Sequence, residues 1–256
     1  MEVHHHPIAN GSHTLAKKWS HYFWEFLMLF LAVFCGFLAE NFREHRIEKN
    51  RAQQYIRSFY EDLKNDTTRL NNLIAFDDEK INALKTMYTC YDTVSQNLKA
   101  TDCMGLLIKH SRSNRGFVLT DRTLKQLANA GGYRLLDKRE ADSIIIYENM
   151  YKGYLDFQAT VFQQSQDNVR NTLNELAAFK IIAPVQLTTA VMGRDTTSEK
   201  LNGPLLFTDN RVLLNKWFNE LAMYLRTTNG QRNSIMNIKD KAISLIRYYK
   251  DKYHFE

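Results

Sequence analysis

Tyr22-Phe-Trp-Glu-Phe-Leu-Met-Leu-Phe-Leu-Ala-Val-Phe-Cys-Gly-Phe-Leu-Ala39 is the stretch whose reading decides the fold, because within it Glu25 alone carries charge. A helix on the surface of a globular domain shows one polar face, whereas this run is apolar on every side. It falls slightly short of the ~20 residues that cross a ~30 Å hydrocarbon core, and its flanks supply the rest. Trp19, Tyr22 and Trp24 suit the headgroup level, Lys17 and Lys18 precede them, and Phe42 with Arg43 follows. The reading is a polar tail over 1–21, a transmembrane helix over 22–42 and a helical domain over 43–256. A cleaved signal sequence and a buried core helix are the competing assignments. Against the first, Glu40-Asn-Phe-Arg-Glu44 continues in polar helical residues without a small-residue cleavage site.

Three residues within the run are candidates for helix packing. Ala32 and Gly36, four apart, let a second helix approach closely. Glu25 either lies one turn inside the interface and reaches water or Lys18, or it faces a neighbouring helix, as embedded carboxylates often do. Orientation is contested between two rules. The downstream flank carries Arg43, Arg46, Lys49 and Arg51 against Lys17 and Lys18 upstream, which places the domain in the cytoplasm by a positive-inside count. Long domains translocate largely regardless of charge, however, and a short leading tail favours export, so the periplasmic side of a bacterial inner membrane is the expectation.

Beyond the run the chain is built for long helices. Of its 256 residues only 10 are Gly and 3 Pro, too few for a fold of many short strands, and 44% are hydrophobic, enough for a core. Apolar positions at Ile56, Phe59, Leu63, Leu70, Leu73, Ile81, Leu84, Tyr88, Tyr91 and Leu98 trace one helical stripe, so a helix is expected over about 43–98. Asp66 and Asp77 fall on that stripe where a hydrophobe is due. The register resumes at Ile81 like a coiled-coil stutter, which favours packing within the chain over a long supercoil. Loops are expected around Thr101–Gly105 and Ser111–Gly116. A short helix capped by Thr120 or Asp121 should end at Gly131-Gly132.

Asp137 with Glu140 has capping-box spacing and opens a helix over about 138–180, limited by Pro184, with Tyr147, Tyr151 and Tyr154 on its buried stripe. The segment 193–204 is polar and loop-like. Asp209 is placed to cap a last helix over about 209–254. Its register runs through Gly230, which favours one helix with a weak point there over a hairpin. The fold class expected is all-α: one N-terminal transmembrane helix followed by an elongated antiparallel bundle of long helices.

The opening Met1-Glu-Val-His-His-His6, the run from Tyr22 to Phe34, Gly36-Phe-Leu-Ala-Glu-Asn41, Thr123–Leu136 and Asp142–Tyr147 together resemble a widespread group of single-pass membrane proteins from Bacteroidetes. The resemblance covers both anchor and domain. It implies a bacterial cell-envelope location and carries over no catalytic residue.

Other features point away from chemistry. The 34 basic and 28 acidic residues are interspersed, without the basic face or tail of a nucleic-acid binder. Lys109, Arg112 and Arg115, with His110, form a small basic cluster, read as a solvated loop with an anion or an acidic partner as the functional alternative. His4–His6 on a tail lack the supporting groups that a selective metal site needs. Cys90 and Cys103 have no metal-ligand spacing; two buried free thiols are the plainer reading and a disulfide in an oxidising compartment the other. No nucleophile elbow, Cys-x-x-Cys or His-Glu-x-x-His motif is present. The expectation is therefore a non-enzymatic envelope subunit, without cofactor or metal and without nucleic acid as a partner. Its partners would be the bilayer and either copies of itself or another membrane protein. An envelope sensor or ligand-binding module is the alternative.

Overall fold

The computed structural model describes residues 15–178 and 205–255. The His4–His6 tail, Pro184 and the polar segment 193–204 lie outside the described residues. Among the described residues the fold is all-α, and the pairing beyond helices is an isolated antiparallel bridge between Ala177 and Leu206. The chain divides into two units, Met1–Gln54 and Tyr55–Glu256.

The first unit holds the beginning of α1 (Leu15–Lys85). This helix contains a window long and apolar enough to cross a membrane, none of it buried within the chain. Phe23, Phe26, Phe30, Phe34 and Phe37 all stand exposed. A soluble domain rarely leaves a contiguous apolar surface of this kind uncovered.

The second unit holds the rest of α1 with α2 (Met87–Gln96), α3 (Asp102–Arg112), α4 (Arg122–Asn129), a 3-10 turn (Gly132–Leu135), α5 (Lys138–Phe157), α6 (Gln163–Leu176) and α7 (Arg211–Tyr253). Three helices carry the frame. The start of α5 meets the end of α7, where Lys252 and Tyr253 reach Glu140, and Gln166 of α6 meets Tyr224 of α7, so α7 runs antiparallel to both. Phe59 of α1 packs edge-on against Tyr147 at 6.0 Å and Tyr249 at 6.2 Å. Further along α1, Lys80 meets Tyr224, so α1 is also antiparallel to α7. Beyond that frame, Leu84, Met87, Val94, Met104, Leu107 and Trp217 join the far end of the core.

Several boundaries differ from the sequence reading, each for a local reason. The helix expected over 43–98 divides at Thr86, whose N–H and hydroxyl both bond back to the Ala83 carbonyl three residues earlier, tightening and ending the turn. Of the expected loop at Thr101–Gly105, all but Thr101 belongs instead to α3, because Met104, Leu107 and Ile108 bury one face of it. Asn210 caps α7 in place of Asp209, its side-chain oxygen accepting from Val212 N–H at 3.0 Å and Leu213 N–H at 3.1 Å. The helix expected to reach about residue 180 ends at Leu176 and contains a π turn, Gln158–Phe162.

Gly230 lies inside one continuous helix rather than at a break. A Cβ there would stand 3.1 Å from the Phe157 ring, so the glycine admits close approach of α5. Gly131 ends α4 at φ 62, the left-handed conformation that favours glycine. The Asp137–Glu140 capping box is formed, with the Asp137 side chain accepting from Glu140 N–H at 2.8 Å.

Cys90 and Cys103 are joined by a disulfide with Cα atoms 5.6 Å apart, which corrects the expectation of two free thiols. α2 and α3 lie side by side, and that places two residues thirteen apart within bonding distance.

Candidate functional site

Four charged side chains interrupt the core stripe of α1, and all are buried: Asp62, Asp66, Asp77 and Lys80. Burying an ion without partners costs several kcal/mol, so their surroundings should supply them. They do, with partners from α4, α5 and α7 and from Thr120 in the stretch Ser113–Asp121 that links α3 to α4. Thr120 donates to Asp66 through its backbone N–H at 3.0 Å and its hydroxyl at 2.7 Å, and the Tyr147 hydroxyl donates to the other carboxylate oxygen at 3.1 Å. Asp62 accepts from the Thr123 hydroxyl and from Arg122 at 3.0 Å.

The second half of the row secures the beginning of the same stretch. Gln231 of α7 donates to Asp77 at 3.1 Å and to the Arg115 carbonyl at 3.4 Å, while accepting from Gln158 at 2.5 Å. Lys80 donates to the Tyr224 hydroxyl at 3.1 Å, and its ammonium stands 5.0 to 5.4 Å from the rings of Phe76, Phe162 and Tyr224. Three aromatic faces offset part of the lost hydration of the cation. The Tyr224 hydroxyl donates in turn to the Ser113 carbonyl at 3.4 Å, and Phe117 N–H donates to the Tyr154 hydroxyl at 3.0 Å. A stretch without regular structure, partly buried, thus finds hydrogen-bond partners on α1, α5 and α7.

Burial governs the electrostatics of this row. It pushes the Asp77 carboxyl up to about 6, with Lys80 opposing, and pushes the Lys80 ammonium down to about 8, with Asp77 opposing. The Asp66 carboxyl is likewise raised by burial, against the hydrogen bonds from Thr120 and Tyr147. Lys80 is wholly enclosed, so this ammonium has no open path to a substrate. The row does structural work, holding one extended segment against three helices. Asp66 and Asp77 show in the sequence as breaks in an apolar stripe; Asp62 and Lys80 leave no comparable mark.

The basic cluster disperses. Lys109 and Arg112 sit in the last turn of α3, and Arg112 bonds Asn174 of α6 at 3.4 Å. Burial and the neighbouring Arg170 hold the Arg112 guanidinium below its usual range. Arg115 turns instead to α1, where it stacks 4.5 Å over the Phe76 ring. Arg112 and Arg115 therefore face different helices and do not converge on one anion.

In the first unit, Glu25, Ala32 and Gly36 are spaced by seven and four, which sets them on one stripe of α1, and His21 extends it by another four. His21 Nε2 lies 3.3 Å from Glu25 Oε1. Phe23, Phe26, Phe30, Phe34 and Phe37, spaced by three and four, form a different stripe. Phe30 stacks on Phe26 at 6.3 Å and on Phe34 at 5.9 Å. Gly36 has open space where a Cβ would stand. Among the described residues no group of His, Cys, Asp and Glu has the arrangement to hold a metal ion. No protein-family model matches the chain, and neither a curated protein nor a solved structure resembles it.

Proposed function

We propose that this chain is a membrane-anchored interaction subunit of a bacterial cell-envelope assembly, non-enzymatic, that associates with further copies of itself through its anchor. The observation that carries the reading is the division of the uncovered apolar helix into two faces. One bears the small residues Ala32 and Gly36 with the Glu25–His21 pair; another bears the phenylalanine row. Phenylalanine is at home against lipid tails. A carboxylate is costly there and is better placed against a partner helix, where small residues admit close backbone approach and His21 of a neighbouring copy offers a counter-charge.

The periplasmic side is proposed for the helical domain, as an inner-membrane protein of single pass. The Cys90–Cys103 disulfide supports it, since such bonds form and persist in oxidising compartments and are rare in the cytoplasm. Replacing Ala32 and Gly36 together by Leu should shift the assembly in mild detergent to a smaller species, read by light scattering during size exclusion. Equal mass for the wild type and the Ala32→Leu/Gly36→Leu variant would remove the proposal's main support.

A further inference from the structure

We infer that the groove between α2 and α7 is a binding site for one neutral pyranose ring of a saccharide. The inference concerns the helical domain and does not depend on self-association of the anchor. The groove encloses about 240 Å³, below the ~300 to ~1,000 Å³ of sites that take drug-sized ligands, so its occupant is a single ring. Each wall gives two groups one helical turn apart. Tyr88 and Asp92 are four residues apart on α2, Asn215 and Asn219 are four apart on α7, and all of them line the groove. All are exposed, Tyr88 by 66%, so a ligand reaches them without rearrangement. α2 has ten residues, too few to keep its shape alone, and the Cys90–Cys103 disulfide ties it to α3, so that wall is in place before a ligand arrives.

The hydrogen-bonding groups select hydroxyls. The Tyr91 hydroxyl donates to Asn215 Oδ1 at 3.2 Å, which leaves the Asn215 Nδ2 hydrogens as donors without a protein acceptor. On the α2 side, the Asp92 carboxylate only accepts, and the Asn219 carboxamide both donates and accepts; neither side chain has a protein partner among the described residues. A hydroxyl donates and accepts, so it satisfies each of these groups, and a vicinal pair of hydroxyls meets both oxygens of Asp92. A compact ammonium ion would satisfy Asp92 and leave the Asn215 donors unmatched, while an anionic ligand would be repelled by Asp92. The apolar side of the ligand meets aromatic surface. Tyr88 stands open, and Phe218, largely buried and edge-on to Tyr91 at 5.1 Å, adds apolar lining. A pyranose has the same division, with hydroxyls round its edge and C–H groups on its faces, which cover an aromatic ring.

The test uses the full chain in lipid nanodiscs and four methyl pyranosides as probes, those of glucose, galactose, mannose and N-acetylglucosamine, with empty nanodiscs as the blank. At least one should bind saturably in a saturation-transfer NMR titration. Its fully O-methylated form keeps the ring but cannot donate to Asp92, and should bind about tenfold or more weakly. Tyr88→Ala and Asp92→Ala, at exposed positions, should each weaken binding about tenfold with thermal unfolding unchanged, whereas Phe207→Ala, exposed and outside the groove, should have no effect. The trisaccharide of the best probe separates two sources of the same chemistry: tighter binding assigns the site to a ring within a glycan chain, equal binding to a free sugar, and either result upholds the saccharide. The inference is overturned by the absence of saturable binding of all four probes at millimolar concentration, by equal binding of the O-methylated form, by full affinity in both folded groove variants, or by tetramethylammonium that displaces the sugar and binds more tightly than every pyranoside.

Discussion

Asp77 and Lys80 show how one turn of helix can hold two ions out of water. Relative to an unfolded Asp at 3.8, the folded carboxyl is raised to about 6. Its stabilising contribution is thus complete below the unfolded value and disappears as pH climbs through about 6. For Lys80 the folded value of about 8 lies below 10.5, so its contribution is complete above the unfolded value and disappears as pH falls through about 8. Between those limits both groups are charged and neither adds stability by titration. The full chain should accordingly lose on the order of 3 kcal/mol from this carboxyl as pH rises across the window between the two Asp77 values. Asp77→Asn should flatten that slope, measured as the unfolding midpoint of the nanodisc-embedded protein against pH. An identical slope in the variant would show that other groups govern it. These residues also mark the limit of reading along the chain. Asp66 and Asp77 were visible as polar positions on an apolar stripe, but Gln231 is 154 residues from Asp77 and Thr120 is 54 from Asp66, so nothing local identified their partners.

Among the elements, the pair α2 and α3 depends most on a covalent tie. They are short helices, and the disulfide closes a loop of thirteen residues between them. A loop of about that size restricts the unfolded chain by about 3 kcal/mol. Cys90→Ser with Cys103→Ser should therefore lower the thermal midpoint, and reductant should lower the wild type toward the same value while leaving the double variant unaffected. The apolar run, the capping box and the continuity of α7 were legible because each is written in neighbouring residues. The disulfide was not, since its proximity arises from the packing of α3, and α3 itself was obscured by Gly105 and by the polar residues around Thr101. Gly230 does not break α7, as the register through it predicts, and the glycine fits where the Phe157 ring occupies the space beside it.

For the molecule as a whole, sidedness is the property on which the proposal turns, and two rules give opposite answers. The basic flank after the anchor favours the cytoplasmic side; the disulfide supports the proposed periplasmic side. The disulfide is the stronger guide, because charge counting fails for long translocated domains, whereas a persistent disulfide needs an oxidising compartment. Spheroplasts treated with mild reductant and then with a membrane-impermeant maleimide should acquire label on the partly exposed Cys103, tested in a Cys35→Ser background. Label appearing only after the inner membrane is permeabilised would reverse the assignment.

The linking stretch from Ser113 to Asp121 also has a bearing on how the chain is made. Its carbonyls at Ser113 and Arg115 accept hydrogen bonds from Tyr224 and Gln231, side chains of α7, which is synthesised well after the stretch itself. A nascent chain that has emerged as far as α6 still lacks those donors, and the row on α1 lacks its closing face. This part of the interior is therefore completed only when α7 has left the ribosome and, on the proposed topology, crossed the membrane. A chain truncated before α7 should therefore leave uncovered the apolar faces that α7 buries, and be cleared by proteases faster than the whole chain.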